Sequence, residues 1–293
     1  MLMAECLTPF KRNHKITGEI QHFPCGKCPN CIKRRVSGWS ERLRQEDRRS
    51  ETAEFITLTY TTDTVPITKN GFMSLKKRDV QLFLKRLRKS HEIKWKSGGK
   101  TYISQPQYPI RYYVCGEYGG KTNRPHYHII LFNCDLRKVE AAWQNGAIHS
   151  GTVTGASVGY TLKYMSKPSK IPMHRNDDRV KEFSLMSKGI GQNYITPAKV
   201  AWHHADLTGR MYMPIEDGKK IAMPRYYKDK IYTEDQRKII AEWHKVEGDI
   251  RSKDNIQRLI KEYGDDYYRM KLEGDLKLFR KMFADSEKGR NVV

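Results

Sequence analysis

No stretch of 18 or more consecutive apolar residues occurs among the 293 residues, so the sequence offers no transmembrane helix. The opening MLMAECLTPFKRNH lacks the apolar run of a secretory signal. The expectation is therefore a soluble protein that stays in the cytoplasm where it is made, without a membrane partner. No internal repeat and no low-complexity segment stands out, which argues against a repeat architecture. Acid is scarce relative to base: 33 Asp plus Glu face 55 Lys plus Arg, a formal net charge of +22. A charge of that size calls for a polyanion, nucleic acid or an anionic membrane surface. The basic residues are spread along the chain rather than gathered in a tail, which favours a wide nucleic-acid surface over a lipid anchor. Seventeen tyrosines interleave with them, a composition suited to base stacking on single strands.

Cysteine is also sparse, six in all, but unevenly placed. Cys25, Cys28 and Cys31 fall in PCGKCPNC, with Cys6 upstream, whereas Cys115 and Cys134 stand apart in strand-like contexts. In a protein that is not secreted, C-x2-C-x2-C in a Gly- and Pro-containing loop reads as metal ligation before disulfides. Tetrahedral Zn²⁺ takes four N or S ligands. Cys6 is the first choice for the fourth, with His22 and His14 behind it. An iron–sulfur cluster fits less well, because no further Cys follows within Lys33 to Val36.

At this length the chain has room for one large or two modest domains, taking roughly 150 residues per domain. EFITLTYT, residues 54–61, is β-branched and aromatic and reads as a strand. SLKKRDVQLFLKRLRKS reads as a helix with Ser74 as N-cap, because Val80, Phe83, Leu84 and Leu87 recur at helical spacing. Its other face carries Lys77, Arg78, Lys85, Arg86, Arg88 and Lys89, the residues expected to bind nucleic acid. HEIKWKSGGKTYISQPQ follows as a polar loop or hairpin, then strand IRYYVCGEY, a turn, and strand PHYHIILF. A short helix over 135–143, a strand at AIHSGTV and a helix over 156–166 complete this part. This order fits an α+β fold, an antiparallel sheet with helices packed on it. From 167 to 225 no period is sustained, and beyond Tyr232 the pattern is helical, with Ile239, Ile240, Trp243 and Val246 as one stripe. The segments expected are 1–48 with the cysteines, a core over 49–170, an irregular extension packed on the core over 171–231, and a charged helical region over 232–293.

Two histidines one residue apart project from one face of a strand, since the strand period is two. If the two strands pair through the turn, Glu117 lies across from His126 and His128. One carboxylate and two imidazoles leave open positions on a divalent cation, as a catalytic site does, and suit Mn²⁺, Mg²⁺ or Zn²⁺. In GYTLKYMSK, Tyr160 and Tyr164 are four apart and share a helix face. Lys163 and Lys167 each follow a tyrosine by three.

FITLTY, RPHYHIILF and YTLKYMSK, in that order, resemble the three motifs of HUH rolling-circle replication endonucleases. PCGKCPNCIKRRVSGWSERLRQE, SLKKRDVQLFLKRLRK and RYYVCGEYGGKTNRPHYHIILFN are similar to the replication initiators of gokushovirus-type microviruses, small phages with single-stranded DNA. The resemblance covers roughly the first 170 residues. It implies an HUH nuclease core of the RRM or ferredoxin-like kind. It implies Mg²⁺ or Mn²⁺ held by Glu117, His126 and His128, with Tyr160 as catalytic tyrosine, Tyr164 as the second tyrosine and Lys163 as the lysine of Y-x-x-K. Tyr127 departs from the family's aliphatic residue between the histidines. The implied function is to nick single-stranded origin DNA, leave a 5′-phosphotyrosine and a free 3′-OH, and later rejoin the strand. DNA and host helicase and polymerase are the implied partners, in a bacterial cytoplasm if the chain is a phage protein. The alternative reading is a non-catalytic single-stranded-DNA-binding or regulatory protein with a structural zinc knuckle.

Overall fold

The computed structural model describes residues 6–13, 15, 17–104, 106–153, 158, 161, 162, 171–215 and 218–291. Two compact units are formed, Ser40–Asn193 in one and Met1–Trp39 with Tyr194–Val293 in the other. Strands β1 (Phe10–Asn13) and β2 (Ile20–Phe23) make an exposed hairpin that precedes helix α1 (Pro29–Asp47). Then follow β3 (Ala53–Thr59), α2 (Lys77–Ser90), the hairpin β4 (Ile93–Ser97) and β5 (Lys100–Ser104), and the long pair β6 (Arg111–Tyr118) and β7 (Pro125–Phe132). A 3-10 turn at Leu136–Lys138 leads into the short α3 (Val139–Ala142), then β8 (Ile148–Thr152) and β9 (Phe183–Met186).

The Ser40–Asn193 unit is built on a five-stranded antiparallel sheet in the order β8-β3-β7-β6-β9. Its first four strands in chain order, β3, β6, β7 and β8, take the 4-1-3-2 arrangement of a ferredoxin-like sheet, so the α+β expectation holds. One face of the sheet carries Ile56, Leu58, Val114, Tyr127, Ile129 and Leu131, which bury against Val80, Phe83, Leu84 and Leu87 of α2 and against Val139 and Ala142 of α3. These are the α2 residues expected from the helical period. Fully burying side chains of this size stabilises by roughly 1.5–3 kcal/mol each, so this layer accounts for the helix being where it is. Ser74 is not its N-cap. The helix starts three residues later with Lys76 at the cap position, and the Ser74 hydroxyl instead accepts the Val180 N–H at 3.0 Å.

Tyr127 is the largest side chain in this layer. Its hydroxyl accepts the Lys76 N–H at 2.9 Å and lies 2.9 Å from the Tyr60 hydroxyl, which donates to Asp79 at 3.0 Å. Burial, with Asp79 nearby, pushes the Tyr127 phenol up to about 12. Gly116 stands directly opposite Tyr127 on β6, where a Cβ would come within 3.1 Å of Leu75 and 3.2 Å of the Tyr127 ring. The glycine therefore makes room for a ring between the histidines where the resemblance implies an aliphatic side chain.

In the other unit, a second core forms from Tyr194, Met211, Met213, Met223, Tyr227, Ile231, Tyr232 and Ile240. It joins α4 (Pro197–His204), the hairpin Tyr212–Pro214 with Lys220–Ala222, α5 (Arg225–Ile231) and the start of α6 (Glu234–Tyr263). A capping box opens α6, with Thr233 and Gln236 each closing on the other's backbone. Of the apolar stripe expected there, only Ile240 is buried, and Ile239, Trp243 and Val246 stay exposed. A break at Gly264–Asp266 separates α6 from α7 (Tyr267–Asn291). Among the described residues, no helix is long and apolar enough to cross a membrane.

Candidate metal centres and active site

The sheet face opposite α2 turns polar at one end. Glu117 pairs directly with His126 across β6 and β7, and Thr59 pairs with His126 from the other side, with Thr57 beside His128. The Glu117 Oε1 atom lies 2.7 Å from His126 Nε2 and 3.0 Å from His128 Nε2. Two ligands each about 2.1 Å from one ion and at right angles to it are about 3.0 Å apart, so this spacing is that of atoms able to share a cation. The three ligand atoms lie within 4.8 Å of one another. Burial alone would raise the Glu117 carboxyl, but the hydrogen bonds from His126 and His128 outweigh it and hold the group below its ordinary value.

The outer nitrogens are also committed. His126 Nδ1 donates to the Arg124 carbonyl at 3.1 Å, which leaves Nε2 to face Glu117. His128 Nδ1 lies 3.0 Å from the Thr57 hydroxyl, and its ring stacks on Phe55 at 5.6 Å between centroids with 11° between planes. Such outer partners set ring orientation and ligand basicity in metal sites. Glu117 and His128 are 8% and 5% exposed, whereas the His126 side chain is 18% exposed, so a substrate atom approaches from the His126 side.

The sequence marks Thr57 only as part of a strand, with no chemistry assigned to it. The alternation in FITLTY, which puts Thr57 and Thr59 on one face, is the available signal. Thr57→Val is expected to keep the fold and to weaken metal binding by about 10–100-fold, the usual cost of removing an outer partner. Titration of the site with Mn²⁺ by electron paramagnetic resonance measures it.

The cysteines form a second cluster. Cys6, Cys25, Cys28 and Cys31 bring four sulfurs within 4.8 Å of one another. All six cysteines are free thiols. Gly26, with φ of 72°, turns the loop so that the Cys28 N–H points at Cys25 Sγ at 3.2 Å and the Lys27 N–H at 3.4 Å. A bond from the Thr8 side chain, with those two amides, lowers the Cys25 thiol to about 5. Cys31 sits in the first turn of α1, where burial pushes its thiol up to about 12. Cys6 is the fourth member, as the sequence suggested. His22 is outside the group and exposed on β2, and His14 lies outside the described residues. Buried Cys115 and Cys134 belong to neither cluster.

Tyr160, Lys163, Tyr164 and Lys167 lie outside the described residues. Between them in sequence, Thr161 and Leu162 are helical and fully buried. The α2 cations lie beyond the other face of the sheet from Glu117. Lys77, Arg78, Lys85, Arg88 and Lys89 are exposed, while Arg86 donates to the Ala142 carbonyl at 2.8 Å. Lys77 lies over the Phe183 ring and Arg88 over Tyr112.

Residues 53–169 match the family described as replication-associated protein ORF2. The chain is 26% identical over 255 residues to replication-associated protein VP4 of Bdellovibrio phage phiMH2K, covering 76% of each protein. It is 27% identical over 224 residues to replication-associated protein ORF2 of Spiroplasma virus 4, covering 70% of this chain and 66% of that one. Against replication-associated protein ORF4 of Chlamydia phage 1 the identity is 22% over 245 residues, 75% of this chain and 55% of that one. No solved structure matches significantly. The segment that carries Glu117, His126 and His128 is thus similar to the replication-associated protein ORF2 family, and the chain as a whole to replication-associated proteins of phages, as its motifs suggested.

Proposed function

We propose that the chain is a replication initiator that nicks one strand of origin DNA by tyrosine attack and can rejoin it. One observation carries the reading: three ligand atoms from Glu117, His126 and His128 meet at the end of two paired strands inside the family-like segment. The residue types fit Mg²⁺ or Mn²⁺, which when bound would supply positive charge to a phosphate oxygen. Thr57, Phe55 and the Arg124 carbonyl hold the two imidazoles in place beforehand, so no reorganisation is needed as substrate arrives.

A phenol with a pKa of ~10 is a weak nucleophile at neutral pH. Lys163 and Lys167 are assigned to easing the loss of its proton or to neutralising phosphate charge. In the step proposed, the oxygen of Tyr160 or Tyr164 bonds to phosphorus as its proton departs. The bond from phosphorus to the 3′ oxygen breaks, and that oxygen leaves as a hydroxyl. The products are a 5′-phosphotyrosine and a 3′-OH that a polymerase can extend. The tyrosyl ester keeps the energy of the broken bond, so a 3′-OH can reverse the step without ATP. A second tyrosine allows a second nick before the first link is resolved. The assignment of Tyr160, Tyr164, Lys163 and Lys167 rests on the sequence motif alone. Zn²⁺ at the four cysteines, contacts with host helicase and polymerase, and a place in the host cytoplasm belong to the same proposal.

Protease digestion of the reaction product followed by mass spectrometry tests it. The expected product is a nucleotide attached to the peptide holding Tyr160 and Tyr164, with a 3′ end that a polymerase extends. A cleaved strand with a free 5′ phosphate and no peptide adduct would make water the nucleophile and sink the reading.

A further inference from the structure

The hairpin of β4 and β5 buries nothing that explains its composition. Ile93, Trp95, Tyr102 and Ile103 are 52%, 48%, 43% and 57% exposed. Trp95 and Tyr102 are directly opposed in the register, and their rings stack at 5.6 Å with 15° between planes. Ile93 shares their face of the ribbon, since it lies two residues from Trp95. Between Ile93 and Ser104 stand Lys94, Lys96 and Lys100 and no acid, and the nearest acid, Glu92, pairs with Lys94 at 3.9 Å. Solvent-exposed apolar surface of this kind, set among like charges, marks an interaction site rather than a structural need.

We propose that this hairpin is a second DNA-binding element, which stacks bases of single-stranded DNA on the Trp95–Tyr102 pair while the three lysines hold the phosphates. The two rings already form the beginning of a stack, and their outer faces remain open to extend it. A single strand offers bases with exposed π-faces, whereas the bases of a duplex are already stacked on their neighbours. The charge agrees, because a ribbon with three lysines and no acid attracts a polyanion. Continuity also agrees: the exposed Arg88 and Lys89 in the last turn of α2 lead into the hairpin.

The element acts at a distance from the candidate nuclease centre. The Lys76 N–H at the head of α2 bonds to Tyr127, beside the histidines, whereas His91 after the tail of α2 accepts the Asp135 N–H beyond the far end of β7. A helix of 14 residues spans about 21 Å. That is about six nucleotides at the ~3.4 Å spacing of stacked bases in one strand. The hairpin therefore engages the strand away from the bond to be cut and sets how much of it is held.

The inference rests on DNA as the substrate, not on the tyrosine chemistry, so it is tested by binding alone. Fluorescence anisotropy with a labelled oligonucleotide in EDTA reads affinity without cleavage. Trp95→Ala/Tyr102→Ala is expected to weaken binding of a long single strand by about 10–100-fold. Trp95→Phe/Tyr102→Phe should restore most of it, and a duplex of the same length should lose little. An oligonucleotide of about six nucleotides should not distinguish the variants, because it cannot occupy both sites. Circular dichroism and thermal melting check that the alanine variant is folded, as the exposure of both rings leads one to expect. Unchanged single-strand affinity in a folded alanine variant would overturn the proposal, as would equal losses for duplex and single strand. Absence of nicking by the wild type with these binding differences intact would count against the proposed chemistry and leave the hairpin assignment standing.

Discussion

Glu117→Gln is expected to lower metal-dependent nicking by about 100–1,000-fold while leaving DNA binding in EDTA unchanged. The amide keeps the shape of the side chain, so the fold survives. What is lost is the one negative ligand facing two imidazoles at 2.7 and 3.0 Å. A bound cation contributes several kcal/mol of charge stabilisation in the transition state, and each ~1.4 kcal/mol is tenfold in rate. Raising the metal concentration should recover part of the rate, because the two histidines still bind weakly. Acid acts in the same direction as the mutation, since protons compete with metal for His126 and His128. The folded carboxyl of Glu117 lies below its ordinary value. Its pairing therefore contributes stability that is complete above the ordinary carboxylate range and is lost as pH falls through the folded value. Thermal melts of metal-free wild type and Glu117→Gln should thus differ most near neutrality and converge in acid. A variant that nicks at the wild-type rate with the same metal dependence would remove Glu117 from the site.

The second large effect is expected at the cysteines. Cys28→Ser should abolish metal retention and unfold the loop and short hairpin around it. Structural Zn²⁺ contributes about 10–16 kcal/mol in small metal-folded modules, as much as the ~5–15 kcal/mol that holds a typical domain folded. The short hairpin β1–β2 has every residue exposed, so it has little apolar burial to fall back on. The thiols are prepared unequally: Cys25, held near 5 by Thr8 and two amides, is a thiolate at neutral pH, while buried Cys31 must give up a proton. Zinc uptake should therefore release protons and weaken in acid. Elemental analysis of the purified protein, with hydrogen exchange over residues 20–35, measures both effects. Cys134→Ser is the control, because that thiol is buried outside the cluster and should leave metal content untouched. Wild-type protein that retains no metal, or Cys28→Ser protein that retains it all, would contradict this assignment.

Where local pattern and packing agree, the fold is legible in the sequence. The α2 period and the β6–β7 pairing come from side-chain spacing that the core simply obeys, and the Glu117–His126–His128 site follows from that pairing. Other features depend on contacts that no local pattern carries. Ser74 looks like a helix cap, but its hydroxyl is taken by Val180, more than a hundred residues away in sequence. The stretch from 167 to 225 reads as irregular because its strands run three or four residues, too short to show alternation. Its core is held by non-local aromatic contacts, such as Tyr194 on Tyr227 and the Tyr194 hydroxyl on the fully buried His203. Trp243 and Val246 illustrate the opposite error, an apolar stripe on α6 that stays exposed. Thr57 is hidden because threonine in a strand is ordinary, and only the register places its hydroxyl on His128.

The central claim is that a tyrosine of this chain becomes covalently joined to DNA at a metal-assisted site. Purified protein incubated with labelled single-stranded circular DNA, with Mn²⁺ or Mg²⁺ or with EDTA, and run on a denaturing gel tests it most directly. The account predicts label migrating with the protein only when metal is present, and none for Tyr160→Phe/Tyr164→Phe. Covalent label that persists in the double variant, or tight binding without any adduct on the DNA that the protein replicates, would contradict it.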